Sequence, residues 1–131
     1  MFEIMTLNLG SPMSYGIKDA SFNDVLSSIY EKENGFEALF RYKIIYSDEC
    51  IRLEKEEAAF GHLLKGAEEA EDIMTLNSGR YIFSQLPIPD DENELQRLFL
   101  PLAYKSSCST LYIRLIKENE LEAVMQFMLP C

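Results

Sequence analysis

Apolar and polar residues alternate strictly across residues 36–46. Phe36, Ala38, Phe40, Tyr42, Ile44 and Tyr46 fall on one side, and Glu37, Leu39, Arg41, Lys43 and Ile45 on the other. A period of two is the signature of a strand with one well-buried face. Residues 2–9 read as an earlier strand, ended by Gly10-Ser11-Pro12. Between them, Phe22, Val25, Leu26 and Ile29 recur at helical spacing. Ser21 is placed as N-cap, Asp24 stands at the third helical position, and Asn34-Gly35 is the stop. Ser47-Asp48-Glu49 turns the chain back into a short partner strand over 50–53.

A linking helix is predicted over about 54–72, with Phe60, Leu63, Leu64 and Ala67 as its core stripe. Asn77-Ser78-Gly79 makes a turn, residues 80–86 a strand, and Pro87 and Pro89 its end. Asp91 with Glu94 opens another helix, with Leu95, Leu98, Phe99 and Leu102 on one face and a kink or end near Leu100, because Pro101 lacks an amide. A final hairpin with Glu118-Asn119-Glu120 as its loop sets Leu111, Ile113 and Leu115 against Phe127, Met125 and Ala123. The same register sets Tyr112, Arg114 and Ile116 against Gln126, Val124 and Glu122, which keeps one face apolar.

The order is strand, helix, strand, strand, then a linking helix, then the same four elements again. The expected fold is therefore α+β: duplicated β-α-β-β units spanning about 1–53 and 78–131, in a mostly antiparallel sheet with helices on one face. At 131 residues and 47% hydrophobic, the chain suits one domain with one core.

The second unit resembles the gyrase-inhibitor-like effector-binding domains of bacterial multidrug regulators, which share the duplicated layout. Ser78-Gly79-Arg80-Tyr81-Ile82-Phe83 is similar to that family's Gly-Lys-Tyr entry into a strand. The stretch from Val124 to Cys131, closing in Pro130 and one further residue, is similar to its final strand. The resemblance covers about 73–131 by sequence and the first half by architecture. It implies a cleft between the halves that binds a small, often aromatic molecule without turnover. Members that bind cationic drugs carry a carboxylate on the strand after the second helix. Tyr112 and Arg114 stand there in this sequence, which turns the expectation toward an aromatic or anionic ligand.

The candidate ligand-binding residues are Arg41, Tyr81, Tyr112, Arg114, Glu122 and Gln126. Tyr rings supply flat apolar contact, and Arg forks match carboxylate or phosphate groups. The plainer reading of Arg41 and Arg114 is that each snorkels at the sheet surface or pairs with a neighbour such as Glu122 or Glu37. No cofactor, metal or catalytic residue is assigned.

Charge adds a second functional reading. Of the net −10, residues 48–94 carry −9, from thirteen acids against Arg52, Lys55, Lys65 and Arg80. That sign disfavours direct nucleic-acid binding. It serves solubility, or it makes residues 48–94 an acidic docking surface for a basic protein. Asp90-Asp91-Glu92-Asn93-Glu94 lacks calcium-loop spacing and suits a helix N-terminus. Residues 10–18 lack the spacing of a phosphate loop.

Three cysteines at wide spacing do not form a disulfide framework, and no apolar run is long enough for a membrane helix. A cytoplasmic location without membrane attachment is expected. A third reading, a cysteine-dependent hydrolase, requires Cys108 to meet His62, the only histidine.

Overall fold

The structure is a computed structural model that describes residues 4–16, 21–31, 36–47, 51–61, 73–103, 108–117 and 123–130. Its strands are β1 (Met5–Leu9), β2 (Met13–Gly16), β3 (Phe36–Tyr46), β4 (Ile51–Gly61), β5 (Ile73–Leu76), β6 (Gly79–Pro87), β7 (Thr110–Lys117) and β8 (Ala123–Pro130). Its helices are α1 (Phe22–Ser28), continued by a 3₁₀ turn Ile29–Glu31, and α2 (Glu92–Ala103). Six strands form one antiparallel sheet in the order β1-β6-β8-β7-β3-β4, and β2 pairs with β5 in a separate ribbon. The α+β class and the antiparallel sheet are as expected. Among the described residues, no helix is long and apolar enough to cross a membrane.

The sheet is apolar on both faces, and each face builds its own core. The alternation of β3 sends Phe36, Ala38, Phe40, Tyr42 and Ile44 into the larger cluster. There they join Leu111, Ile113 and Leu115 of β7 and Met125, Phe127 and Leu129 of β8. Both helices bury their apolar stripes in this cluster through Phe22, Val25, Ile29, Leu95, Phe99 and Leu102. Phe22 meets Phe40 edge-on at 5.2 Å between ring centroids, and Phe99 meets Phe127 at 6.0 Å. The smaller cluster joins Leu39, Tyr81 and Met128 of the sheet to Tyr15, Met74 and Leu76 of the β2–β5 ribbon.

Local chemistry fixes the helix starts as predicted. The Asp24 amide donates to Ser21 Oγ at 3.1 Å. At α2 the Glu94 amide donates to Asp91 Oδ1 at 2.9 Å, while the Asp90 amide donates back to Glu94 Oε2 at 2.7 Å. Together these form a reciprocal cap. Of the kink or end expected near Leu100, the end does not occur: helix α2 runs on to Ala103 and holds Pro101 inside it. Burial of Leu102 and Ala103 supports that last turn despite the missing amide.

Residues 54–61 are strand, not the start of the predicted linking helix; the remainder, 62–72, lies outside the described residues. Their Glu, Lys and Ala content favours a helix, but only weakly, and pairing with β3 along its length overrides it. A register shift opposite Arg41 and Tyr42 hides the alternation. It lets both Leu53 and Ala58 face the larger cluster despite their odd separation. Edge strand β4 is held to α2 by Gln96, whose Oε1 accepts from the Leu53 amide at 2.9 Å. Gln96 Nε2 donates to the Ile51 carbonyl at 2.8 Å.

The final hairpin keeps the predicted faces but slides by two residues along the strand. Ile113 faces Phe127, Leu115 faces Met125, and Arg114 faces Gln126 rather than Val124. The slide preserves which side chains are inside, so the apolar pattern alone does not select between the two registers. The two units also occupy the sheet differently. β6, β8 and β7 of the second are contiguous, while β1 and the β3–β4 pair of the first lie at opposite edges.

Candidate functional site

The described members of the predicted ligand-binding set, Arg41, Tyr81, Tyr112, Arg114 and Gln126, fall on the sheet face opposite the helices. On β3 and β7, Arg41 stands opposite Tyr112, and on β7 and β8, Arg114 stands opposite Gln126. Arg114 donates from Nη2 to Glu37 Oε1 and from Nη1 to Gln126 Oε1, the latter at 3.3 Å. Gln126 Nε2 in turn donates to Gln85 Oε1 at 3.0 Å, and the Tyr15 hydroxyl donates to Glu37 Oε2 at 3.0 Å. The result is a polar row across β6, β8, β7 and β3 that ends on the ribbon. The Arg114 and Glu37 side chains are only 16% and 15% exposed, so this is a largely buried ion pair. Arg41 lies 4.0 Å from Glu56 at a more open position.

Among the described residues, this face does not present the expected open aromatic cleft. Tyr81 is buried in the smaller cluster and its hydroxyl donates to the Asn77 carbonyl at 2.6 Å. Tyr112 packs against the same cluster, and Glu122 lies outside the described residues. The cause is the β2–β5 ribbon, whose Met13, Tyr15, Met74 and Leu76 cover the sheet. Its two strands have four residues each, and their apolar sides gain stability only by packing. Ser14 and Thr75 hydrogen-bond to each other at 3.3 Å. Gly79, at φ +137°, turns the chain from β5 into β6, a backbone state that favours glycine.

The described clefts lie on the helix side, between elements of the first and second units. The larger has a volume of about 350 Å³ and sits between α1 and residues 88–91. Leu26, Ile88 and Pro89 are its apolar walls; Asn23, Ser27, Tyr30, Asp90 and Asp91 are its polar ones. A second cleft of about 300 Å³ adjoins it at Asn23 and reaches Tyr42, Leu53, Glu92 and Gln96. Asn23 Oδ1 accepts from the Glu92 amide at 2.9 Å and so ties α1 to the start of α2 where the two clefts meet. None of the five described residues of the predicted set lines either cleft. Part of the signal was present in the chain: Leu26 and Asp91 were read as helix residues, but nothing local shows that the loop before α2 folds against α1.

Two buried phenols mark the two faces. Burial pushes the Tyr15 hydroxyl well above its ordinary value; the Arg114 charge opposes that and the Glu37 charge adds to it. Burial does the same to Tyr42, reinforced by the Glu92 carboxylate that accepts its hydrogen bond at 3.2 Å. Because the native values are raised, the native state holds these protons more tightly than the unfolded chain. Their contribution to stability is whole below pH about 10 and is lost progressively as pH rises above it. Urea midpoints should therefore fall steeply on the alkaline side, and Tyr15→Phe with Tyr42→Phe should flatten that fall. An unchanged alkaline slope in the double variant would contradict the assignment.

Cys108 is partly buried, and its Sγ donates to the Pro130 carbonyl at 2.6 Å. His62 lies outside the described residues, so the Cys108–His62 pairing has no described geometry. Compared with models of protein families and with curated proteins, the chain matches none.

Proposed function

We propose that this protein is a non-enzymatic binding protein that takes a small molecule in the larger helix-side cleft. The observation that carries this reading is a 350 Å³ concavity between the two units, walled by Leu26 and Ile88 and rimmed by polar groups. Its volume lies within the range of small-ligand sites, and apolar walls with a few polar groups are their usual composition. The effector-binding character implied by the sequence resemblance points to the same class of function. The site moves from the ribbon-covered sheet face to the helix side, still between the two units.

A ligand at 100 times its dissociation constant adds about 2.7 kcal/mol to stability, which raises Tm by several degrees. A thermal-shift screen of small aromatic and aliphatic compounds of either charge should find such stabilisers. Ser27→Trp, which fills the cleft from an exposed position of α1, should abolish their effect. Compounds that stabilise Ser27→Trp as much as the native protein would place binding elsewhere.

The acidic-module reading keeps one supporting observation. Asp90 and Asp91 are exposed together at the start of α2, within the acidic stretch 48–94. A basic protein partner held there would dissociate as salt is raised, whereas a small molecule held by the apolar walls would not.

A further inference from the structure

We infer that the β1 edge of the sheet is a self-association surface. Two copies of this chain pair β1 with β1 antiparallel, about a two-fold axis through Leu7 and perpendicular to the sheet, and so join their sheets into one. This surface is separate from the helix-side clefts and does not depend on them.

The two edges of the six-stranded sheet differ in the features that govern strand addition. Strand β4, one edge, is guarded. Arg52, Glu54, Lys55 and Glu56 put charge along it, and Gln96 of α2 already bonds the Leu53 amide and the Ile51 carbonyl. Strand β1, the other edge, has no such guard. Residues 4–9 hold no charged side chain and no proline. Among the described residues, β1 pairs with β6 alone, and no hydrogen bond reaches its outer side. The outward amides and carbonyls of such a strand are a template for another strand. Four large hydrophobic side chains are exposed among the described residues, and two of them, Ile4 and Met5, stand on this edge.

The order of side chains on β1 fits a second copy of itself. With the axis at Leu7, Met5 stands opposite the partner's Leu9, Leu7 opposite the partner's Leu7, and Thr6 opposite the partner's Asn8. Apolar meets apolar and polar meets polar, as an isologous contact requires. Leu7 and Leu9 pack against the smaller cluster, so this register makes the two smaller clusters continuous across the axis. A slip of one residue would set Leu7 against Thr6 or Asn8 and turn the two ribbons to opposite faces. An unrelated peptide would make no use of that symmetry. Charge points the same way: each copy carries −10, and β1 lets two copies meet where neither brings a charged group. A strand pair this short buries less than the roughly 800 Å² per partner of a standard interface, so the dimer is weak, half-formed at roughly 100 μM.

Sedimentation equilibrium of the full chain, from about 10 μM to about 1 mM, reads this directly. A monomer that passes to a dimer and no further is expected, with slower exchange of the β1 amides at high concentration. Salt at about 0.5 M screens the repulsion between copies and should tighten the dimer. Thr6→Glu with Asn8→Glu changes two exposed positions and sets like charges opposite each other across the axis, which should weaken the dimer about tenfold. Thr6→Lys with Asn8→Glu sets opposite charges there, leaves the net charge unaltered, and should restore it. A Thr6→Lys, Asn8→Lys variant mixed with the Thr6→Glu, Asn8→Glu variant should form the mixed dimer in preference to either homodimer. A chain that stays monomeric at every concentration overturns the inference and leaves the edge to another protein or to none. A dimer that the paired Glu substitutions do not weaken, or that the Lys and Glu combination does not restore, overturns it as well.

Discussion

Phe127→Ala will destabilise the protein by about 3–5 kcal/mol, a large share of the roughly 5–15 kcal/mol typical of a whole domain. Phe127 is fully buried on β8, an interior strand of the sheet, where it stands opposite Ile113. It also meets Phe99 of α2 nearly perpendicularly, at 86° between ring planes. Truncation removes the buried ring, leaves a cavity between sheet and helix, and breaks an edge-to-face pair. Phe127→Leu fills most of that space and should cost clearly less. Urea unfolding followed by circular dichroism measures both, since the chain has no Trp to report by fluorescence. A loss below about 1 kcal/mol for the Ala variant would mean that α2 does not seat on this face.

Arg114→Met alone will cost about 3 kcal/mol, and Glu37→Leu alone a similar amount, whereas the double variant will recover most of the loss. The reason lies in what each single change leaves behind. Without Arg114 the Glu37 carboxylate stays largely out of water with the Tyr15 hydroxyl as its remaining described partner. Without Glu37 the guanidinium keeps Gln126 and the nearby Tyr15 hydroxyl, both neutral, and its buried Nε has no hydrogen-bond partner even in the native protein. Removing both charges together leaves an apolar patch beneath the ribbon. A coupling energy near zero in this double-mutant cycle would contradict a desolvated pair. Gln126→Ala should be milder, because the side chain it removes is neutral and makes a long contact to Arg114 at 3.3 Å and an exposed one to Gln85 at 3.0 Å.

What the sequence made legible divides along physical lines. Strand β3 was readable because eleven residues alternate without interruption. The starts of α1 and α2 were readable because Ser21 and the Asp91–Glu94 pair cap through local hydrogen bonds. The start of β4, residues 51–53, was expected as the partner of β3, but its continuation to Gly61 was hidden for two reasons that reinforce each other. Its residues are good helix formers, and the register shift near Arg41 interrupts the period of two. The ribbon was hidden because β2 and β5 are short, lie far apart in sequence, and exist through their packing on Leu39, Tyr81 and Met128. That omission carried over to function: the second face looked available only because nothing local announced its cover. The pairing of Arg114 with Glu37, by contrast, was foreseeable as the plainer alternative to ligand binding. The helix-side cleft depends on a tertiary approach, α1 against residues 88–91, that no short pattern encodes.

Amide chemical-shift mapping with any compound that raises Tm tests most directly where this protein binds. Perturbations centred on Leu26, Ser27 and Ile88, and absent in Ser27→Trp, are the predicted result. Perturbations centred instead on Leu39, Tyr112 and Met128, beneath the β2–β5 ribbon, would show that the cover opens and that the sheet face is the binding surface.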